Sequence, residues 1–248
     1  MSGHSKWATI KHKKGAADKA RGKLFAKLIK QVEVAARQGG GDPDMNPTLR
    51  TMFQKARDNS VPLDTIERAI KRGTGELEGV SYESVTYEGY GPGGVAVLVE
   101  CLTDNRNRTG AEMRSIFTRN GGSMAEPGAV AWQFERKGLI VVPGTVDEDE
   151  LMLAALDAGA EDISRDGDVW NVTSGPAETM NVREAIEAAG IEVESADLTM
   201  LPTSVVSVDS VESAKAVLRV IDALDDHDDV QEVYANFDIP DDVLQSIG

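Results

Sequence analysis

The chain has 248 residues and a formal net charge of -16, and 41% of its residues are hydrophobic. That length predicts two or three domains, and the hydrophobic share is enough for a sizeable core. No apolar run reaches the roughly 20 residues of a membrane span, and no secretory signal is predicted. The single cysteine, Cys101, excludes an internal disulfide framework and a multi-cysteine zinc site. We therefore expect a cytoplasmic protein.

The charge is distributed unevenly along the chain. Residues 1–75 contain 16 Lys+Arg and 7 Asp+Glu, a net of +9, whereas residues 76–248 contain 10 and 35, a net of -25. A cationic segment can approach a polyanion while the acidic remainder is repelled, and this orients the bound molecule. The overall acidity therefore does not exclude nucleic-acid binding.

The first part of the chain has helical periodicity. Between residues 17 and 37 the apolar residues form one stripe, at Leu24, Phe25, Leu28, Ile29 and Val32. Lysines gather on another side of the same predicted helix, at Lys19, Lys23, Lys27 and Lys30. Glycine and proline separate two further predicted helices, at 47–59 and 63–72. We expect a helical bundle over 17–75 that is preceded by a basic arm at 1–16.

Strand and helix patterns alternate from residue 79 onwards. Strands are predicted at 85–89, 95–102 and 129–135, with a helix at 109–120. A β-α-β-β-α-β order follows over 139–200, which is that of the ferredoxin-like split unit. A strand, helix and strand at 205–208, 211–224 and 230–237 would complete the first α/β unit.

The predicted fold class is therefore α+β. An N-terminal three-helix domain (1–78) is followed by two ferredoxin-like α/β domains, and one of these (138–204) is inserted in the other (79–137 plus 205–248).

The N-terminal arm combines cations with aromatic rings, at Lys6, Trp7, Lys11, His12, Lys13 and Lys14. Such a mixture suits phosphate contacts and stacking on a base. Because the arm continues into the lysines of the first predicted helix, we interpret residues 1–37 as a surface that binds a polyanion. One alternative is a solvated tail whose Trp7 packs on the helices. The other is a mitochondrial presequence, which the lysine-rich composition disfavours.

A second group of cations follows the predicted strand at 95–102. Arg106 and Arg108 precede a predicted helix N-terminus, where guanidinium and backbone N–H groups together suit a phosphate. The alternative is that these arginines pair with the many nearby acids. The sequence favours neither interpretation.

Three other features receive structural interpretations. The glycine-rich segment 89–94 lacks the Lys-Ser/Thr of a phosphate loop and predicts a hairpin turn. The acidic run 225–229 around His227 lacks the ligand spacing of a calcium loop and predicts a solvated turn. Cys101 predicts a core thiol. Because no nucleophile, base and orienting group can be recognised, we expect no catalytic residue, metal or cofactor.

Five segments carry a family resemblance. They are GHSKWATIKHKK at 3–14, GGGDP at 39–43, IERAIKRGTG at 66–75, YEGYGPGG at 87–94 and TDNRNRT at 103–109. Over essentially its whole length the chain resembles the YebC/PmpR family of probable transcriptional regulators, a group that includes the mitochondrial translational activator of cytochrome oxidase.

The resemblance implies a helical N-terminal domain and two α/β domains, one inserted in the other. It places the basic arm, with Arg21 and Lys23 beyond it, against nucleic acid. The segment 123–128 departs from the family pattern, and we assign it no function.

We therefore expect a non-enzymatic, DNA-binding transcriptional regulator with nucleic acid as its partner, a protein partner on its acidic α/β domains and no membrane contact. One alternative is a translation factor on ribosomal RNA that relieves stalling at difficult stretches such as consecutive prolines, a role that the resemblance also implies. A second alternative is a small-molecule-sensing α/β module. No helix is rich in Asn, Gln and Arg, so we expect weak base readout.

Overall fold

The three-dimensional structure is a computed structural model, of which we describe residues 18–247, with the backbone alone at 18–21, 241 and 245. Contacts within this range divide it into two compact units, one of residues 80–135 and 201–247 and the other of residues 18–79 and 136–200. The three-domain division expected from the sequence stays a prediction. Within residues 18–247, no helix is both long enough and apolar enough to cross a bilayer.

Residues 18–79, which we call the helical module, contain three helices, and this confirms the prediction. They are α1 (Asp18–Gly39), α2 (Pro47–Asp58) and α3 (Leu63–Gly73). Leu28 and Val32 of α1 pack with Leu49 of α2 and Ile66 of α3 in one buried core. Because α2 and α3, of 12 and 11 residues, are marginal as isolated helices, burial of the apolar faces against one another supplies most of their stability.

Asn46 joins the first two helices. Its side-chain NH2 group donates to the carbonyls of Ala35 (2.9 Å) and Gly40 (2.8 Å), while its Oδ1 accepts the N–H of Leu49 (3.1 Å). One buried side chain thus satisfies backbone groups at the end of α1 and at the start of α2, where a helix leaves them unpaired.

The first and third helices approach most closely at Gly73. A Cβ atom added there would lie 2.4 Å from the carbonyl oxygen of Glu33, so the crossing requires glycine. Beside it the buried carboxylate of Glu33 accepts hydrogen bonds from Arg37 (3.1 Å) and Arg72 (2.9 Å). This pairing links α1 to α3 and neutralises part of the positive charge of the module.

The remainder of this unit is a four-stranded sheet with two helices. Its elements are β4 (Phe134–Pro143), α5 (Glu148–Ala155), β5 (Ala160–Asp166), β6 (Val169–Ser174), α6 (Thr179–Ala188) and β7 (Ser195–Pro202). The strand order is β5-β6-β4-β7, and β6 is antiparallel to both β5 and β4. Both the element order and the strand order are those of the ferredoxin-like unit that the sequence predicts. The core contains Ile140, Leu151, Val172 and Ile186.

The other unit contains a second sheet. Its elements are β1 (Glu83–Tyr90), β2 (Ala96–Thr103), α4 (Arg106–Arg119), β3 (Ser123–Met124), β8 (Val206–Ser207), α7 (Val211–Asp225), β9 (Val230–Ala235), β10 (Phe237–Asp238) and α8 (Asp241–Gln245). The strand order of the sheet is β3-β1-β2-β9, and β8 forms a short parallel pair with β10. A 3-10 turn at Pro92–Gly94 joins β1 to β2, with Gly93 at φ +74° and Gly94 at φ +78°. The hairpin predicted at the glycine-rich segment is confirmed.

Two predicted boundaries are wrong. The strand expected at 129–135 is a 3-10 turn at Ala131–Gln133 followed by β4, which also includes the strand expected at 139–142. The helix expected from residue 109 begins at Arg106, because the side chain of Asn105 accepts the N–H of Arg108 (3.1 Å) and caps the helix there.

Candidate nucleic-acid interface

The predicted contact residues of the arm are Lys6, Trp7, Lys11, His12, Lys13 and Lys14, and all of them lie outside the described residues. The predicted lysine stripe continues into α1. Lys19 and Arg21 lie in its first turn, where only the backbone is described. Lys23, Lys27 and Lys30 are each partly buried, and each has an interaction partner. The structure therefore places the stripe on one helix of the module.

Three basic residues that the sequence analysis did not select are exposed on the module. Arg50 and Arg57 lie on α2 and Lys71 lies on α3. Within residues 18–247 none of the three forms an ion pair. Arg50 and Arg57 are seven residues apart and so share one side of α2, and this spacing was the available sequence signal. The exposed cations of the module thus extend beyond the predicted stripe.

Ion pairs also join the helical module to the sheet of strands β4 to β7 within their shared unit. Arg183 of α6 donates to Asp58 at the end of α2 (2.7 Å) and to Glu187 (2.9 Å), and Lys55 lies 3.0 Å from Asp197 of β7. Burial by itself lowers the pKa of Arg183, but its hydrogen bonds to Asp58 and Glu187 outweigh this and raise the pKa. These contacts connect α2 to α6 and β7 within this unit.

The second predicted contact, at Arg106 and Arg108, is only partly available to a phosphate. The guanidinium of Arg108 donates to Asp229 (2.7 Å) and Asp104 (3.0 Å), and the hydrogen bond to Asp229 is the main cause that raises its pKa. Arg108 is therefore paired with acids, as the alternative interpretation expects. Arg106 is exposed, and its carbonyl accepts the hydroxyl of Tyr87 (3.1 Å), whose pKa burial raises.

Glu112, His227 and Asp229 bring three potential metal-ligating atoms within 4.8 Å of one another. Nδ1 of His227 accepts the N–H of Asp229 (3.1 Å), which leaves the ring proton on Nε2 to donate to Glu112 (2.8 Å). Neither ring nitrogen then offers a lone pair to a metal, and Arg108 already supplies a positive charge to Asp229. This cluster connects α4 to the α7–β9 turn. The turn itself is as predicted, but the prediction that it is solvated is wrong for Asp229, which is buried.

A buried carboxylate organises the loop between β3 and β4. Glu88 Oε1 accepts the N–H of Gly128 (2.6 Å), and its Oε2 accepts those of Val130 (2.6 Å) and Ala131 (2.8 Å). Burial by itself raises the pKa of Glu88, but the three backbone donors outweigh it and lower the pKa below its ordinary value. The loop presents Trp132 with 72% of its surface exposed. Segment 123–128, to which the sequence assigned no function, thus consists of β3 and the first part of this loop.

Cys101 of β2 is buried, as predicted, in the core cluster that also contains Val99, Phe117 and Ile221. Burial of this kind is typical of a structural rather than a reactive cysteine.

The chain thus combines a three-helix module that has exposed cations with two α+β parts in which acids outnumber bases. Family models match almost the whole of this chain. The TACO1/YebC N-terminal domain matches residues 5–76, and the TACO1/YebC second and third domain matches residues 82–237. The chain therefore belongs to the TACO1/YebC family, as the sequence resemblance indicates.

Curated relatives agree with this assignment. A protein of Thermobifida fusca is 59% identical over 100% of both chains, and one of Halothermothrix orenii is 56% identical over 100% of this chain and 99% of its own. Both carry the name "Probable transcriptional regulatory protein". A crystal structure described as that of a conserved hypothetical protein from Aquifex aeolicus is 48% identical, with a TM-score of 0.81 over 91% of this chain and 93% of the other.

Proposed function

We propose that this protein is a non-enzymatic regulator of transcription that binds DNA through its basic N-terminal part. The observation that carries the proposal is the charge polarity of the chain, with a net of +9 over residues 1–75 and -25 over the rest. Cations that neutralise phosphates release condensed counterions, and this release supplies most of the affinity of sequence-independent binding. The printed names of the relatives support the role in transcription.

The contact surface in this proposal has two parts. The arm supplies its four lysines together with Trp7, and the helical module supplies Arg50, Arg57 and Lys71. Such contacts position the protein on the phosphate backbone and read little sequence. The acidic remainder of the chain is repelled by the same phosphates, so this proposal limits the DNA contact to the basic residues of 1–75.

The test is binding of the full chain to a labelled random DNA duplex, measured by fluorescence anisotropy at fixed salt. We expect Arg50→Ala with Arg57→Ala and Lys71→Ala to weaken binding by about tenfold or more, and equally for duplexes of different sequence. The matched control removes three exposed cations of the unit of residues 80–135 and 201–247, namely Arg114, Lys215 and Arg219. It should leave the affinity unchanged or slightly higher. Equal losses in the two triple variants would show that binding depends on total charge alone and would contradict the proposal.

Ribosomal RNA is the competing target of the same surface. Sedimentation of the full chain with ribosomes at matched salt separates the two targets. The proposal expects duplex binding at salt concentrations where ribosome binding is lost. Co-sedimentation with ribosomes in the absence of duplex binding would replace the role in transcription by one in translation.

A further inference from the structure

Helix α5 of the inserted domain is apolar on two sides. Leu151 and Ala155 are fully buried in the core, as a surface helix requires. On the opposite side, where polar residues are expected, Leu153 is 80% exposed, Leu156 is 44% exposed and Met152 is 38% exposed. The buried side explains why the helix folds onto its sheet, but it does not explain the second apolar side.

The exposed side forms a groove with an acidic border. Met152, Leu153 and Leu156 line a groove of about 480 Å³ together with Asp149 and Asp157. Asp149, Met152 and Leu153 share one side of α5, and Leu156 and Asp157 follow directly after its last residue, so the acids lie at the two ends of the apolar strip. Glu148 and Glu150 add negative charge in the first turn. The domain around it is also acidic, with 15 Asp+Glu and 4 Lys+Arg over residues 136–200.

We propose that this groove binds a cationic amphipathic helix of a protein partner. The apolar side chains of that helix would cover Met152, Leu153 and Leu156, and its lysines or arginines would face Asp149 and Asp157. Burial of the exposed leucines is the main source of affinity in such a contact, whereas exposed charges at a rim mainly select the partner and speed its encounter.

The acidic border decides between the occupants that an apolar strip could accept. Nucleic acid is excluded, because its phosphates would face the carboxylates of Asp149 and Asp157. A second copy of this chain is disfavoured, because a two-fold contact between two α5 helices places each acidic end against acids of the other copy. A helix with cations on both sides of an apolar strip complements both the apolar residues and the acids of this surface. This surface consists of residues other than those of the basic segment 1–75, and its charge is opposite.

The test uses two labelled helical peptides with the same row of leucines, one flanked by lysines and one by glutamates. Binding to the full chain is measured by fluorescence anisotropy. We expect the lysine peptide to bind at least about tenfold more tightly than the glutamate peptide. Leu153→Ser with Leu156→Ser should weaken the lysine peptide by about tenfold or more. The control Met45→Ser with Leu77→Ser changes side chains that are likewise 80% and 44% exposed, and it should have no effect.

A second pair of variants tests the charges without changing the apolar strip. Asp149→Asn with Asp157→Asn should weaken the lysine peptide at low salt, whereas Glu192→Gln with Glu194→Gln removes two exposed acids of the same domain and should not.

Several results would overturn the proposal. They are no binding of the lysine peptide, equal binding of the two peptides, or unchanged binding to the Leu153→Ser and Leu156→Ser variant. Sedimentation velocity gives one more such result. A wild-type chain that is dimeric, together with a Leu153→Ser and Leu156→Ser variant that is monomeric, would show that the occupant is a second copy.

Discussion

Replacing Glu88 by Gln keeps the shape of the side chain but removes its charge and exchanges one acceptor oxygen for an NH2 group. The carboxylate of Glu88 accepts three backbone N–H groups at 2.6–2.8 Å and is 6% exposed. In the best orientation of the amide, its oxygen still accepts the N–H groups of Val130 and Ala131. Its NH2 group then faces the N–H of Gly128, so two donors meet and that hydrogen bond is lost. Each hydrogen bond to a charged group is worth about 1.5–3 kcal/mol, and an unsatisfied buried donor costs about 1–3 kcal/mol.

We therefore expect Glu88→Gln to lower the free energy of unfolding by about 3 kcal/mol, which corresponds to a Tm about 6–12 °C lower for a chain of this size. Circular dichroism measures the Tm at neutral pH. Glu83→Gln is the matched control, because Glu83 lies on the same strand and is exposed. Hydrogen exchange gives a local readout, since the amides of Gly128, Val130 and Ala131 should exchange faster in the Glu88 variant only.

The same contact predicts a dependence on pH. The pKa of Glu88 is lower in the folded chain than its ordinary value of 4.5. A carboxylate with a depressed folded pKa stabilises the fold above its unfolded pKa, and this stabilisation is lost as the pH falls through the folded pKa. The difference in Tm between wild type and Glu88→Gln should therefore narrow as the pH falls below about 4.5. A variant within 1–2 °C of the Glu83→Gln control at neutral pH, or a difference that stays constant down to pH 3, would refute this reasoning.

Three further predictions concern the helical module and its attachment, and urea unfolding measures all of them. Asn46→Ala should lower the free energy of unfolding by about 2–3 kcal/mol, because the hydrogen bonds of Asn46 to two helix ends are lost. Thr48→Ala changes an exposed neighbour and should lower it by less than about 0.5 kcal/mol. Equal effects of the two substitutions would contradict the capping role of Asn46. Gly73→Ala should lower the free energy of unfolding by more than about 2 kcal/mol, because the added Cβ would clash with the backbone of α1. Gly22→Ala places a Cβ in open space in the same module and should leave the free energy of unfolding unchanged or raise it. Arg183→Met should lower the free energy of unfolding by about 2 kcal/mol, which is less than for a fully buried ion pair because the partner Asp58 is partly exposed. An unchanged midpoint of urea unfolding would show that this ion pair does not stabilise the attachment of the helical module.

The sequence predicts the parts of this fold that depend on local periodicity. The stripe at Leu28 and Val32 predicts α1, and the strand and helix order over 139–200 predicts the ferredoxin-like sheet. The wrong strand at 129–135 has a nonlocal cause. Its backbone N–H groups bind Glu88, about 40 residues earlier in the chain, and no local pattern reports such a contact.

The candidate site follows the same rule. The charge polarity and the lysines of α1 can be read from the sequence, because charge counts and helical spacing are local properties. The pairing of Arg108 with Asp229 cannot be read from the sequence, since the two residues are 121 positions apart and only the fold brings them together. The apolar side of α5 also escapes sequence reasoning, because a single leucine such as Leu153 can equally belong to a core until burial is known.

The salt dependence of DNA binding tests the central claim most directly. The logarithm of the association constant of the full chain for a random duplex should fall linearly with the logarithm of the salt concentration, with a slope of about -0.9 for each phosphate neutralised. Lys11→Ala with Lys13→Ala and Lys14→Ala should make that slope shallower by about 0.9 for each lost contact, or about 2.7 if all three bind phosphates. A slope that is the same in this variant and in the wild type would contradict the account, because the basic arm would then take no part in binding.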